Sequence, residues 1–131
     1  MKSVVYIIDD NMVSEFATKM VLQQSSIACD IFSFDNAEIG LENFVDSIKK
    51  GKNIPDVILL DLNMPGMDGW DFLAQLKTIA YPKNKIAIYV LSTFTSAKTR
   101  EKARSHELVA GLFERPLSKI NAESILSEKT D

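Results

Sequence analysis

Three carboxylates, two hydroxyls and one cation stand in this sequence where apolar runs stop. Asp9 and Asp10 follow the run 4–8, Asp61 closes Val57-Ile58-Leu59-Leu60, Ser92 and Thr93 follow 86–91, and Arg115 follows 108–114. An aspartate at the end of an apolar strand is costly to bury unless a cation or hydrogen bonds compensate it. Like charges brought close raise each other's pKa unless a divalent metal lies among them. Magnesium suits an oxygen-only ligand set and keeps waters that a phosphoryl oxygen can replace. An aspartate can attack phosphorus while a metal, the Ser92 and Thr93 hydroxyls and the Arg115 cation neutralise charge on the transferring group. These residue types suit phosphoryl acceptance, and Asp61 is the first candidate for chemistry.

The elements that must bring them together can be read from periodicity. Residues 4–8 form a first strand, and Val13, Phe16, Ala17, Met20 and Val21 share one face of a helix over 12–24. A second strand spans 29–34; Asp35 or Asn36 caps a helix whose Ala37, Leu41, Phe44, Val45 and Ile48 share a face, and Lys49-Lys50-Gly51 ends it. The run 57–60 shows no polar alternation, as in a central parallel strand covered on both faces. Phe72, Leu73, Leu76 and Ile79 predict a helix over 68–80. A fourth strand spans 86–91, and the mostly polar segment 96–107 predicts a weakly anchored helix. A short fifth strand over 108–114, a turn at Arg115-Pro116 and a helix over 118–128 using Ile120, Ile125 and Leu126 complete the pattern. Five strands alternating with five helices imply an α/β fold with a parallel sheet between helical layers. Open parallel sheets bind ligands at the carboxyl ends of their strands, which is where the six polar residues fall.

Composition bounds the rest. At 131 residues, 46% apolar and 25% charged, the chain reads as one globular domain without repeat, linker or output domain. A net charge of −3 argues against general affinity for nucleic acid or anionic membrane. The lone Cys29 cannot form an internal disulfide, no stretch reaches membrane-spanning length, and the short apolar run after Met1-Lys2-Ser3 ends in two aspartates rather than in a signal-peptide pattern. The expected setting is cytoplasmic.

With these residues in place, the sequence resembles the receiver domains of two-component response regulators, of the kind that stands alone in bacterial chemotaxis. The resemblance covers nearly the whole chain and rests on Asp9-Asp10, on Asp61 within Asp-Leu-Asn-Met-Pro-Gly-Met-Asp-Gly, on the Ser92 hydroxyl and on a basic residue before Pro116. It implies a flavodoxin-like (βα)5 sandwich with strand order 2-1-3-4-5. It further implies Asp61 as phosphoacceptor, with magnesium held by Asp10 directly, Asp9 through water, Asp61 itself and the Asn63 carbonyl. Ser92 and the basic residue would grip the phosphoryl oxygens, and Pro116 marks a usual cis peptide. A histidine kinase or phosphotransfer protein would donate the group, and a protein effector would read a switched strand-four to helix-five face. The chain would transfer the group to itself and lose it slowly rather than act as a turnover enzyme. Three positions depart from the family pattern. Arg115 replaces lysine, a planar fork in place of a point charge. Leu112 occupies the usual aromatic switch position, with Phe113 on the opposite face, and a bulky Phe94 follows Ser92 at the position linked to phosphoryl lifetime.

Taken singly these features have plainer readings. Asp9-Asp10 could begin a helix and Asn11 could cap it equally well; Met64-Pro65-Gly66 is a common turn, Ser92-Thr93 a capping pair and Arg115 a surface cation. His106 has no partner at ligand spacing and fits a solvated helix position, Cys29 a small buried residue, and Trp70 packing. The basic run Lys98, Arg100, Lys102 and Arg104 fits a solvated face, or a docking surface for a partner. Rival functions are a degenerate receiver, in which Arg115 prevents phosphoryl binding and leaves an interaction module, and an aspartyl-phosphate phosphatase. The latter's second aspartate, two residues after the nucleophile, is Asn63 here. A flavin carrier would need a glycine- or hydroxyl-rich phosphate loop after the first strand.

Overall fold

The computed structural model describes residues 2–93 and 96–128. In chain order the elements are β1 (Ser3–Ile8), α1 (Met12–Gln23), β2 (Cys29–Phe34), α2 (Ala37–Lys50), β3 (Val57–Asp61) and α3 (Gly69–Leu76), followed by a 3-10 turn (Lys83–Lys85), β4 (Ala87–Ser92), α4 (Ala97–Ser105), β5 (Val109–Glu114) and α5 (Lys119–Ser127). The strands are parallel and ordered β2-β1-β3-β4-β5, so the expected sheet is observed. Ile8 pairs with Leu60, Asp61 with Leu91 and Ser92 with Glu114, which brings the polar strand ends to one edge.

Strand alternation divides the core in two. Tyr6, Ile8, Ile58, Leu60 and Ile88 meet Phe44 of α2 and Phe72, Leu73 and Leu76 of α3 on one face. Val5, Ile7, Val57, Leu59, Tyr89 and Leu91 meet Leu22 of α1 and Ala122, Ile125 and Leu126 of α5 on the other. β3 is buried at every position, as its unbroken apolar run requires. In α4 the described buried residue is Ala103 alone, which matches the weak anchoring expected of so polar a helix.

The face of α1 differs from expectation. Val13 is 80% exposed, Phe16 60% and Met20 38%, whereas Thr18 and Leu22 are buried. Polar bonds set the phase of this helix: the Asn11 side chain accepts from the Ser14 N–H at 2.9 Å, and the Ser14 hydroxyl donates to Asp9 at 2.6 Å. With Ser14 turned toward the sheet edge, Val13, Phe16 and Met20 face outward, while Ala17 is half-buried and Val21 packs on the core. Ile120, expected in the core of α5, is exposed as well. α3 ends at Leu76 rather than near residue 80, because the Thr78 and Ile79 N–H groups donate three residues back, and the Thr78 hydroxyl donates to the Gln75 carbonyl. Ile79 still packs on the core from outside the helix. β4 starts at Ala87 and takes in Ser92.

Candidate functional site

Asp61 is delivered to the edge by β3 and is 2% exposed. The loop behind it is shaped by Gly66, whose φ of +74° suits glycine, and by Gly69, the first residue of α3. A Cβ on Gly69 would lie 2.7 Å from the Asp61 carbonyl oxygen and 2.8 Å from Leu62 Cα, so only glycine lets α3 start this close to the strand. Asp68 caps α3 and Asp71 returns the bond to the Asp68 N–H, completing a capping box.

Asp9 ends the adjacent strand and is 3% exposed, whereas Asp10 is exposed. One carboxylate oxygen from each of Asp9, Asp10 and Asp61 lies within 4.8 Å of the others. Asp9 spends both oxygens on the protein: Oδ1 accepts from the Asn11 N–H at 2.9 Å, and Oδ2 from the Ser14 hydroxyl. Among the described residues no hydrogen bond reaches Asp10. Asp61 Oδ1 accepts from the Asn63 N–H at 3.1 Å and from Arg115 Nη2 at 2.5 Å, and no donor among the described residues reaches its Oδ2.

Arg115 follows β5, is joined to Pro116 by a cis peptide bond, and donates its N–H to the Ser92 carbonyl at 3.0 Å. The guanidinium reaches into the pocket. Its Nη1 donates to the Ser14 hydroxyl at 2.8 Å and stands 3.5 Å from Asp9 Oδ2, while its Nε is buried with no hydrogen-bond partner among the described residues.

Burial pushes the Asp61 carboxyl up to about 6; the Asn63 N–H and the Arg115 guanidinium pull it back, and Asp9 and Asp10 push it further up. A carboxylate held this high in an all-oxygen cluster fits a hard divalent cation, whose charge would return it to the ionised form.

The remaining expected residues fall as follows. Ser92 is buried at the end of β4, and Thr93 is exposed beside Asn11, Val13, Arg115 and Pro116 in a surface hollow. Asn63 is exposed, and the bond seen is from its N–H. Leu112 is half-buried beside Ala103 and Arg104 of α4, whereas Phe113 turns to the other face against Tyr89, ring centroids 5.5 Å apart. Phe94 lies outside the described residues. Asn11, rather than Asp9 or Asp10, caps α1. His106 ends α4 instead of lying within it, its Nδ1 accepting from the Leu108 N–H at 3.2 Å. Cys29 is half-buried, and Trp70 lies under the Lys102 ammonium, 4.3 Å from the ring centroid. Sequence reasoning missed Ser14. The signal was its place three residues after the capping Asn11, one helical turn from the acid pair.

The receiver-domain profile of response regulators matches residues 5–120. A solved two-component response regulator from Cytophaga hutchinsonii superposes with a TM-score of 0.90 at 23% identity, covering 98% of each chain. A response regulator receiver protein from Dyadobacter fermentans gives 0.81 at 23% identity, covering 97% of each. The Mn(2+)-bound form of response regulator Rcp1 gives 0.69 at 22% identity, covering 98% of this chain and 92% of that one. Among curated proteins, the sensor histidine kinase CheAY of Helicobacter pylori is 41% identical over 56 residues, which are 43% of this chain and 7% of the kinase.

Proposed function

Because this chain belongs to the response regulator receiver family of two-component signalling, we propose that it accepts a phosphoryl group on Asp61 and thereby switches a protein-binding face. The observation that carries the reading is Asp61 buried at a strand end, with carboxylate oxygens of Asp9 and Asp10 beside it and the Arg115 guanidinium upon it. In this reading Asp10 and Asp61 would hold magnesium directly, with the Asn63 carbonyl, and Asp9 would act through water. The bound ion supplies positive charge to the transferring oxygens. An Asp61 oxygen attacks phosphorus, the bond from phosphorus to the donor's imidazole nitrogen breaks, and the imidazole leaves with the electron pair and takes a proton from solvent. Ser92, Thr93 and Arg115 bind the phosphoryl oxygens. Water later attacks phosphorus, the phosphorus–oxygen bond to the carboxylate breaks, and phosphate departs. The chain is thus a slow self-dephosphorylating acceptor rather than a turnover enzyme.

The donor is a histidine kinase or phosphotransfer protein in the cytoplasm, and the likeness to part of a sensor kinase supports that company. Its docking surface is the outward stripe of Val13, Phe16 and Met20 with Ile120, because the hollow holding Val13 and Ala17 also holds Arg115 and Pro116 and so runs into the site. The effector reads the face from β4 to α5. Drawing Ser92 and Arg115 toward the phosphoryl group shifts Leu112 and α4, whose one buried residue permits movement. Among the described residues no helix is long and apolar enough to cross a membrane.

One observation favours a second reading. Arg115 already occupies Asp61 Oδ1, so a guanidinium that never yields would leave a phosphorylation-independent interaction module. Intact-protein mass after incubation with phosphoramidate, with and without magnesium, separates the two. A magnesium-dependent adduct absent from Asp61→Asn supports acceptance; no adduct supports the interaction module.

A further inference from the structure

Resting on the phosphoacceptor reading, we infer that Ser14 is a positioning residue that holds Arg115 by one arm and presents its other edge to the phosphoryl group. A guanidinium has five N–H donors in one plane, and the Nε and Nη2 donors lie side by side along one edge, a match for two oxygens of one anion. In this chain Nη1 is claimed by the Ser14 hydroxyl at 2.8 Å, with Asp9 farther away at 3.5 Å. Nη2 sits on Asp61, and Nε on the same edge is buried without any partner among the described residues. Buried donors are ordinarily satisfied, so this one points to a missing acceptor on the Asp61 side. Ser14 is itself fixed at both ends of its hydroxyl, accepting from Arg115 and donating to Asp9 at 2.6 Å, while the Asn11 cap holds its N–H at 2.9 Å. Its orientation is therefore set by the start of α1. A lysine has no fork to orient and would make no such demand on α1. The serine and the arginine form one device: α1 anchors Nη1, and the Nε–Nη2 edge takes two phosphoryl oxygens when they arrive.

The test is a double-mutant cycle on adduct formation from phosphoramidate, with folding monitored by circular dichroism melts. Ser14→Ala lowers the maximal rate of adduct formation by about tenfold while the donor concentration giving half that rate changes little, a misorientation effect. Ser14→Thr, which keeps the hydroxyl, restores most of the rate. On top of Arg115→Lys the loss from Ser14→Ala shrinks to less than about twofold, because the pair no longer couples. A second readout does not depend on turnover: the Arg115 Nε–H resonance, followed by NMR as beryllium fluoride is added as a phosphoryl mimic, shifts downfield in the wild-type protein and stays unmoved in Ser14→Ala. Equal losses in the arginine and lysine backgrounds, or an unchanged Ser14→Ala rate beside a labelled wild type, would overturn this inference alone. A wild-type protein that forms no adduct would overturn the phosphoacceptor reading and this inference with it.

Discussion

Arg115 Nη2 stands 2.5 Å from Asp61 Oδ1, so the cation reaches the candidate acceptor directly. The pair is nearly buried, with side-chain exposures of 13% and 2%. Cation and carboxylate therefore report on each other, and each can be probed through its partner.

Removing the cation should be visible at the acid. In Arg115→Met the Asp61 carboxyl loses an opposing charge while burial, Asp9 and Asp10 still push it up. Its titration midpoint, followed by carboxyl-carbon NMR in metal-free buffer, should rise from about 6 by about one pH unit or more. An unchanged midpoint would mean that the guanidinium does not sit on Asp61 in solution.

Stability in the absence of metal should fall as pH rises through the same carboxyl. Burial raises the folded-state value from 3.8 to about 6, so between these limits the folded chain holds a proton that the unfolded chain has released. The Asp61 contribution therefore favours folding below about pH 4 and is lost by about pH 6. Asp61→Asn removes this dependence and should be more stable than wild type at pH 7 in EDTA, by on the order of 1–3 kcal/mol in urea melts. Magnesium should narrow the difference. A less stable Asp61→Asn protein would contradict the electrostatic picture of the pocket.

Gly69 makes a steric prediction. An added Cβ meets the Asp61 carbonyl oxygen and the Leu62 backbone rather than a flexible side chain. Gly69→Ala should cost about 1–3 kcal/mol and slow adduct formation as β3 and α3 separate. Gly40→Ala is a useful contrast, because its closest contact is the movable end of Ile8 at 2.9 Å. Equal effects of the two substitutions on adduct formation would show that Gly69 does not position Asp61.

The outward face of α1 predicts a split between stability and partner transfer. Phe16→Ser should change folding stability by less than about 0.5 kcal/mol, while Leu22→Ala should cost about 2–5 kcal/mol. Phe16→Ser should nevertheless slow phosphotransfer from a cognate kinase while leaving labelling by phosphoramidate intact. Equal loss from both donors would place Phe16 in the chemistry or the core, and no loss from either would remove the stripe as the donor's surface.

The strand ends were legible in the sequence because each apolar run stops at a polar residue, and parallel strands align those stops on one edge. Asp9, Asp10, Asp61 and Arg115 therefore came together as expected. The phase of α1 was not legible. Periodicity located the apolar stripe of Val13, Phe16 and Met20, but the Ser14 to Asp9 bond and the Asn11 cap decided which side faced inward. Two short polar bonds outweighed the pattern, and the same bonds hid Ser14 from a search for charged residues. The early end of α3 was hidden for a similar reason, since Ile79 keeps its contact with the core from a turn rather than from the helix.

The most direct test of the central claim is to find which atom carries the phosphoryl group. The protein, labelled with phosphoramidate in magnesium, is reduced with borohydride, which converts an aspartyl phosphate to homoserine, and the digested peptides are sequenced by mass spectrometry. The account predicts homoserine at position 61 and at no other aspartate, dependent on both donor and magnesium. Homoserine at Asp9, Asp10 or Asp68, or an intact Asp61 in a protein whose mass shows the adduct, would contradict it.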